Sequence, residues 1–131
     1  MTWSQVGQNI PHEADTKGDY YSYSIDYSVS VSSNGSVIAI GDITNDGNGK
    51  DSGHVRIFKN VNDNWVQIGK DIDGEAAGDS SGEVVCLSND GSIVAISARY
   101  NSGNGPESGH VRVFKNVNDN WVQIGKDIDG E

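Results

Sequence analysis

A chain of 131 residues is long enough for one ordinary domain, which at this size hides roughly two-thirds of the surface its unfolded form exposes. Three Trp, five Tyr and recurrent Val/Ile alternation argue against a disordered chain, while 17 glycines and many Ser, Asn and Asp residues suit a turn-rich β protein. A formal net charge of −10 repels phosphate backbones and anionic lipid, which sets nucleic acid and membrane aside as partners.

Met1 is followed directly by TWSQVG, a polar segment with strand-like alternation, so no signal peptide is expected. No apolar stretch approaches the length of a membrane span. An atypical insert follows, up to residue 26, with His12 and the tyrosines Tyr20, Tyr21 and Tyr23 in it and Tyr27 just after it. His12 has no second histidine nearby to make a zinc site, and the tyrosines suit a contact surface or a cap on a sheet.

From residue 27 the chain alternates with a period of two. YSVSVS at 27 to 32 predicts a first strand, and Asn34-Gly35 then supplies the positive φ angles of a tight hairpin turn. VIAIGD returns as a second strand, a loop rich in Gly and Asx follows, and HVRIFK makes a third. The turn NVNDN leads to a fourth strand, WVQIGK. The order then repeats with VVCLS, Asp90-Gly91, IVAISA, HVRVFK and WVQIGK. Within VVCLS the single cysteine, Cys86, is expected to be a small buried apolar side chain; being alone it forms no intrachain disulfide.

Self-comparison makes the repetition explicit. SGHVRIFKNVNDNWVQIGKDIDGE at 52 to 75 returns at 108 to 131 with one change, Ile57 to Val113, a period of 56 residues. The N-terminal TWSQVGQNI matches the unit's tail, NWVQIGKDI, so Trp3 answers Trp65 and Trp121. Four antiparallel strands recurring at this period predict an all-β fold of β-propeller-type blades. The expected division is an extra N-terminal strand and insert over 1–26, one blade over 27–75 and a second over 76–131. Sandwich and solenoid are the competing architectures. Two blades leave large apolar faces in water, so the ring is expected to close by self-association, as a trimer or a tetramer.

GSVIAIGD, an Asx-rich loop and then GHVRIF together resemble the FG-GAP repeat of integrin-α-like β-propellers, whose blades carry an LAVGAP-like strand followed by a GxVYVF-like strand. The resemblance covers nearly the whole chain. It implies a binding or scaffold module of extracellular or cell-surface type, with protein or glycan ligands. The family's calcium box, DxDxDG, is replaced here by SVSSNG at 30 to 35 and LSNDG at 87 to 91, so calcium is not expected at that position.

Other residues remain candidates for Ca²⁺. Asp42, Thr44 and Asp46 stand at positions 1, 3 and 5 of an EF-hand-like loop, but Lys50 and Gly53 occupy its later ligand positions, and an ordinary Asx turn is the favoured reading. Asp71, Asp73, Glu75 and Asp79 form a second carboxylate-rich run suited to a hard cation, with a solvated strand end as the competing reading. His54 with Arg56, and His110 with Arg112, each share one strand face, and their repetition favours bonding to a neighbouring blade over catalysis. Trp3, Trp65 and Trp121 are expected as anchors between blades, with sugar stacking as the alternative. The favoured function is a non-enzymatic scaffold or protein-interaction unit; the alternative is a glycan-binding lectin.

Overall fold

The structure, a computed structural model, describes residues 1–11 and 27–131. The insert, with His12, Tyr20, Tyr21 and Tyr23, lies outside the described residues. The described chain is all-β, with no helix and two antiparallel sheets. The first holds β1 (Tyr27–Val31), β2 (Val37–Asp42), β3 (His54–Val61), β4 (Asn64–Gln67) and β5 (Ile72–Asp73). The second holds β6 (Ser81–Leu87), β7 (Ile93–Ala98), β8 (His110–Val117), β9 (Asn120–Gln123) and β10 (Ile128–Asp129).

In both sheets three strands run in chain order, and the third carries two short outer strands, β4 and β5 on β3 and β9 and β10 on β8. The expected fourth strand, WVQIGK, is therefore shorter, ending at Gln67, and an unexpected two-residue strand, Ile72–Asp73, follows it. Gly69 (φ 71°) and Gly125 (φ 74°) turn the edge in the left-handed region, where an extended ladder cannot continue. The N-terminal segment also differs from expectation. It forms no strand, and it meets the edge strand β4 through the side chain of Gln8, whose amide accepts from Trp65 N (2.9 Å) and donates to Trp65 O (3.1 Å).

Turn chemistry follows from the residues. At Asn34-Gly35 and Asp90-Gly91 only the glycines take positive φ (74° each), so these are wider turns than the two-residue form expected. Asn34 and Asp90 instead accept hydrogen bonds from the backbone N–H of Ser36 and Ser92, both at 3.0 Å. The turn with two left-handed residues is NVNDN, with Asn62 at 51° and Asp63 at 64° and nearly the same angles at Asn118 and Asp119.

The core lies between the sheets. Val37, Ala39, Val55 and Ile57 of the first sheet cluster with Val85, Leu87, Val94, Ile96 and Phe114 of the second. The cross-strand registers Ala39↔Ile57 and Gly41↔Val55 put the first set on one sheet face, and Val85↔Ile96 and Val94↔Phe114 do the same for the second. The backbones approach so closely where β2 meets β6 that a Cβ on Gly41 would collide with the Gly82 carbonyl. Ser28 Oγ donates to the Gly82 carbonyl at 2.6 Å, and Ser30 Oγ accepts from Leu87 N at 2.9 Å, which explains the serines that alternate through β1. Cys86, expected inside, is exposed. Val85 and Leu87 take the inward positions of β6, and strict alternation turns Cys86 and Val84 outward.

Candidate functional site: the seam between the sheets

Repeated residues gather where the two sheets meet. Trp121, half-buried beside the core, donates its indole N–H to the Ile68 carbonyl of the first sheet at 2.9 Å. A methyl on Gly69, next in the chain, would stand 3.0 Å from the same indole ring. Trp65 repeats the arrangement one unit earlier: its indole N–H donates to the Val6 carbonyl at 3.0 Å, and a methyl on Gly7 would stand 2.7 Å from its ring. Val6-Gly7 and Ile68-Gly69 hold matching places in the repeat, so each docked tryptophan sits on the Val/Ile-Gly pair of the segment before it. Trp3, the third of the series, is 92% exposed.

The histidine and arginine pairs lie toward the other end of the third strands. Arg56 grips Asp71 with two hydrogen bonds, Nε to Oδ1 at 3.0 Å and Nη2 to Oδ2 at 3.2 Å. Burial pushes the Asp71 carboxyl up, but hydrogen bonds from Arg56 and Gln67 outweigh it and hold the group below its ordinary value. His54 Nδ1 lies 3.6 Å from Asp71 Oδ2, and burial pushes the imidazole below its usual value. Asp71 opposes that shift and Arg56 reinforces it.

The second copy of this constellation reaches across the seam. His110 Nδ1 stands 3.4 Å from Glu75 Oε1 and 3.5 Å from Asp127 Oδ2, so one histidine faces a carboxylate from each sheet's tail. Arg112 approaches Glu75 at 3.9 Å and donates through Nη2 to the Asp73 carbonyl at 2.9 Å. Asp127 is held below its ordinary pKa chiefly by the Gln123 amide, with smaller contributions from His110 and Arg112 set against burial. The His/Arg faces thus lie beside carboxylates in both copies, within one sheet at His54 and from both sheets at His110, and among these side chains Arg56 is the one that hydrogen-bonds a carboxylate.

The structure splits the carboxylate run read from the sequence. Asp71 and Asp73 come within reach of His54, whereas Glu75 joins His110 and Asp127. Each trio supplies one imidazole nitrogen and two carboxylates, a donor set suited to a borderline divalent ion more than to calcium, which prefers oxygen alone. Asp79 leaves the run altogether: buried, it accepts from Asn101 Nδ2 at 2.8 Å and from Ala76 N at 3.1 Å. Asp42 and Asp46 are not brought together either. Asp42 Oδ1 accepts from Thr44 N (3.0 Å) and Thr44 Oγ1 (2.8 Å), as in an Asx turn, and Asp46 Oδ1 accepts from Asp51 N (2.8 Å), five residues on.

Sequence reasoning missed Asn48 and Asn104, which lace each Gly-rich loop to the strand end. Asn48 Nδ2 donates to the Gly74 carbonyl and Asn104 Nδ2 to the Gly130 carbonyl, both at 2.8 Å. Their recurrence at the repeat period was the available signal. A shallow cleft of about 280 Å³ opens along the seam, lined by Lys70, Asp71, Asp73, Arg112, Phe114 and Trp121 among others. No protein-family model matches the chain, and no curated protein sequence does.

Proposed function

We propose that the chain is a non-enzymatic β-propeller-type repeat unit, an FG-GAP-like scaffold that associates with copies of itself and presents loops to a partner. One observation carries the reading: each sheet leaves open the face that its sibling buries. The first sheet exposes Val29 (61%) and Val31 (56%), which stand at the repeat positions of Val85 (6%) and Leu87 (8%). On the second sheet Ile93, Ala95, Val111 and Val113 are less buried than their counterparts Val37, Ala39, Val55 and Ile57, which the seam covers. One open face is therefore built like one half of the seam and the other like its complement, the condition for a heterologous contact, which closes into a ring when the rotation between copies divides a full turn. Arg56, Arg112, Trp65 and Trp121, which bond to a carboxylate or to backbone carbonyls, support a structural role over a catalytic one.

Molar mass by light scattering tests the reading. A trimer or tetramer is expected, and a monomer at every accessible concentration refutes it. The seam cleft favours a second reading, glycan binding, because Trp121 lies there beside Asp73, Arg112 and Phe114, the mixture of aromatic and polar groups that holds sugars. Saturable binding on a glycan array, lost in a folded Trp121→Ala variant, would establish it; an array without binding removes it.

A further inference from the structure

The self-association just proposed leaves one strand end too many, because Val6-Gly7 and Ile124-Gly125 correspond to the same place in the repeat. We propose that copies join head to tail by exchange at Trp65: Ile124-Gly125 of one copy take the seat that Val6-Gly7 occupy on the next. The inference rests on that self-association and adds its location and its internal competitor.

Three equivalent glycines mark the seat. At Gly7 an added methyl would meet the Trp65 ring at 2.7 Å and the Asp63 carbonyl at 3.1 Å. At Gly69 it would meet the Trp121 ring at 3.0 Å and the Asp119 carbonyl at 2.7 Å. At Gly125 nothing lies within 4 Å, although its φ of 74° matches the 73° and 71° of the other two. Ile68 beneath Trp121 is 8% exposed, while Val6 beneath Trp65 is 55% and Ile124 43%, so the mark of the open seat is the space at Gly125. The second sheet thus ends in a formed seat with no indole in it, and the only other tryptophan position in the series that docks is Trp65. The two seats are chemically alike, since the indole N–H finds an Ile or Val carbonyl and the ring lies on a left-handed glycine in both.

The N-terminal segment is held by little else. Among the described residues its bonds to the first sheet are the indole of Trp65 and the two from Gln8 to the Trp65 backbone. Exchange gives up these contacts and gains the same indole bond together with burial of the two open faces. Apolar burial therefore drives the exchange, while the N-terminal segment acts as a plug that lowers the fraction of chains competent to join. The match weakens at the inner edge: Ser97 stands where Gly41 lets Gly82 cross, so the outer edge around Trp65 is where the copies fit best.

The test compares the full-length wild type, Gln8→Ala and Gly125→Asn by sedimentation and light scattering over a concentration series. Asparagine tolerates the left-handed φ, and its side chain would fill the space the incoming indole needs. Gln8→Ala is expected to tighten association about tenfold by loosening the plug. Gly125→Asn is expected to lose association while keeping the wild-type circular dichroism spectrum. Association of Gly125→Asn equal to wild type overturns the exchange and leaves self-association standing by another route. If all three stay monomeric, self-association itself is refuted. A wild type that associates only at the top of the concentration series, beside a Gln8→Ala that associates throughout it, supports the plug.

Discussion

Val55 and Val111 are the same residue at the same place in two nearly identical strands, and they differ mainly in what covers them. Val55 pairs with Gly41 and Ile72 and is 0% exposed, buried in the seam; Val111 pairs with Ser97 and Ile128 and is half-buried on the open face. Strand propensity largely cancels between them, since both are flanked by partners on each side. Val55→Ala removes two buried methyl equivalents, worth about 0.8 kcal/mol each, and leaves a small cavity, so the expected loss is about 2 kcal/mol. Val111→Ala should cost about 1 kcal/mol or less, because part of that surface is already in water. Urea unfolding followed by tryptophan fluorescence resolves the difference: with a slope of about 2 kcal/mol per molar, the two midpoints should lie about 0.5 M apart. The measurement belongs at low protein concentration, where the proposed self-association would leave Val111 uncovered. Equal losses for the two variants would refute the seam as the core of the molecule.

Trp121→Phe removes the indole N–H from the Ile68 carbonyl and should cost about 1 kcal/mol or more, whereas Trp3→Phe should cost nothing measurable in the same urea experiment. Gly41→Ala puts a Cβ into the Gly82 carbonyl and should lower the melting temperature more than Gly35→Ala, where space is open but φ is positive; the reverse order would contradict the close crossing of β2 and β6. Stability should fall with acid in two stages. His54, with a folded pKa below 6.5, resists the proton that the unfolded chain accepts, so stability is complete above 6.5 and declines as pH drops below it. Asp71, Asp127 and Asp90, the last held near pH 2 by Ser92 and Ser88, have folded pKa values below the ordinary 3.8, and their contribution is lost as pH falls through those lower values. His54→Gln should flatten the first stage and leave the second, read from melting temperature against pH.

Strands β2, β3, β7 and β8 were legible because local chemistry alone decides them: β-branched alternation bounded by Asx and Gly turns leaves no helical stripe to compete. Where a neighbour decides, the residues were silent. Cys86 and Val85 are both apolar and adjacent, and only the packing of β6 on β2 selects which of them faces inward. The break in the outer strand was written in Gly69 and Gly125, but a glycine in a strand pattern does not say whether it bulges or turns. The acidic run looked like one cluster because its members are close in sequence. Glu75 nevertheless serves the second sheet and Asp71 the first, since the chain passes between sheets immediately after β5.

The near-identity of the two long blocks makes the remaining differences informative. Arg56 and Arg112 have the same neighbours in sequence but for Ile57 against Val113, yet Arg56 closes on its own Asp71 while Arg112 reaches Asp73 and Glu75 of the preceding sheet. His54 and His110 differ in the same way. In the second sheet these groups reach the join as well as their own tail, while in the first Arg56 and His54 both lie beside Asp71. The shared block therefore encodes a bonding capacity, and position in the array selects the partner. On that logic Arg56 and His54 of the first sheet are the groups that would re-pair when a preceding sheet arrives. Docking of another copy at Trp65 should then raise the pKa of His54, because a tail carboxylate joins Asp71 beside it as Glu75 joins Asp127 beside His110.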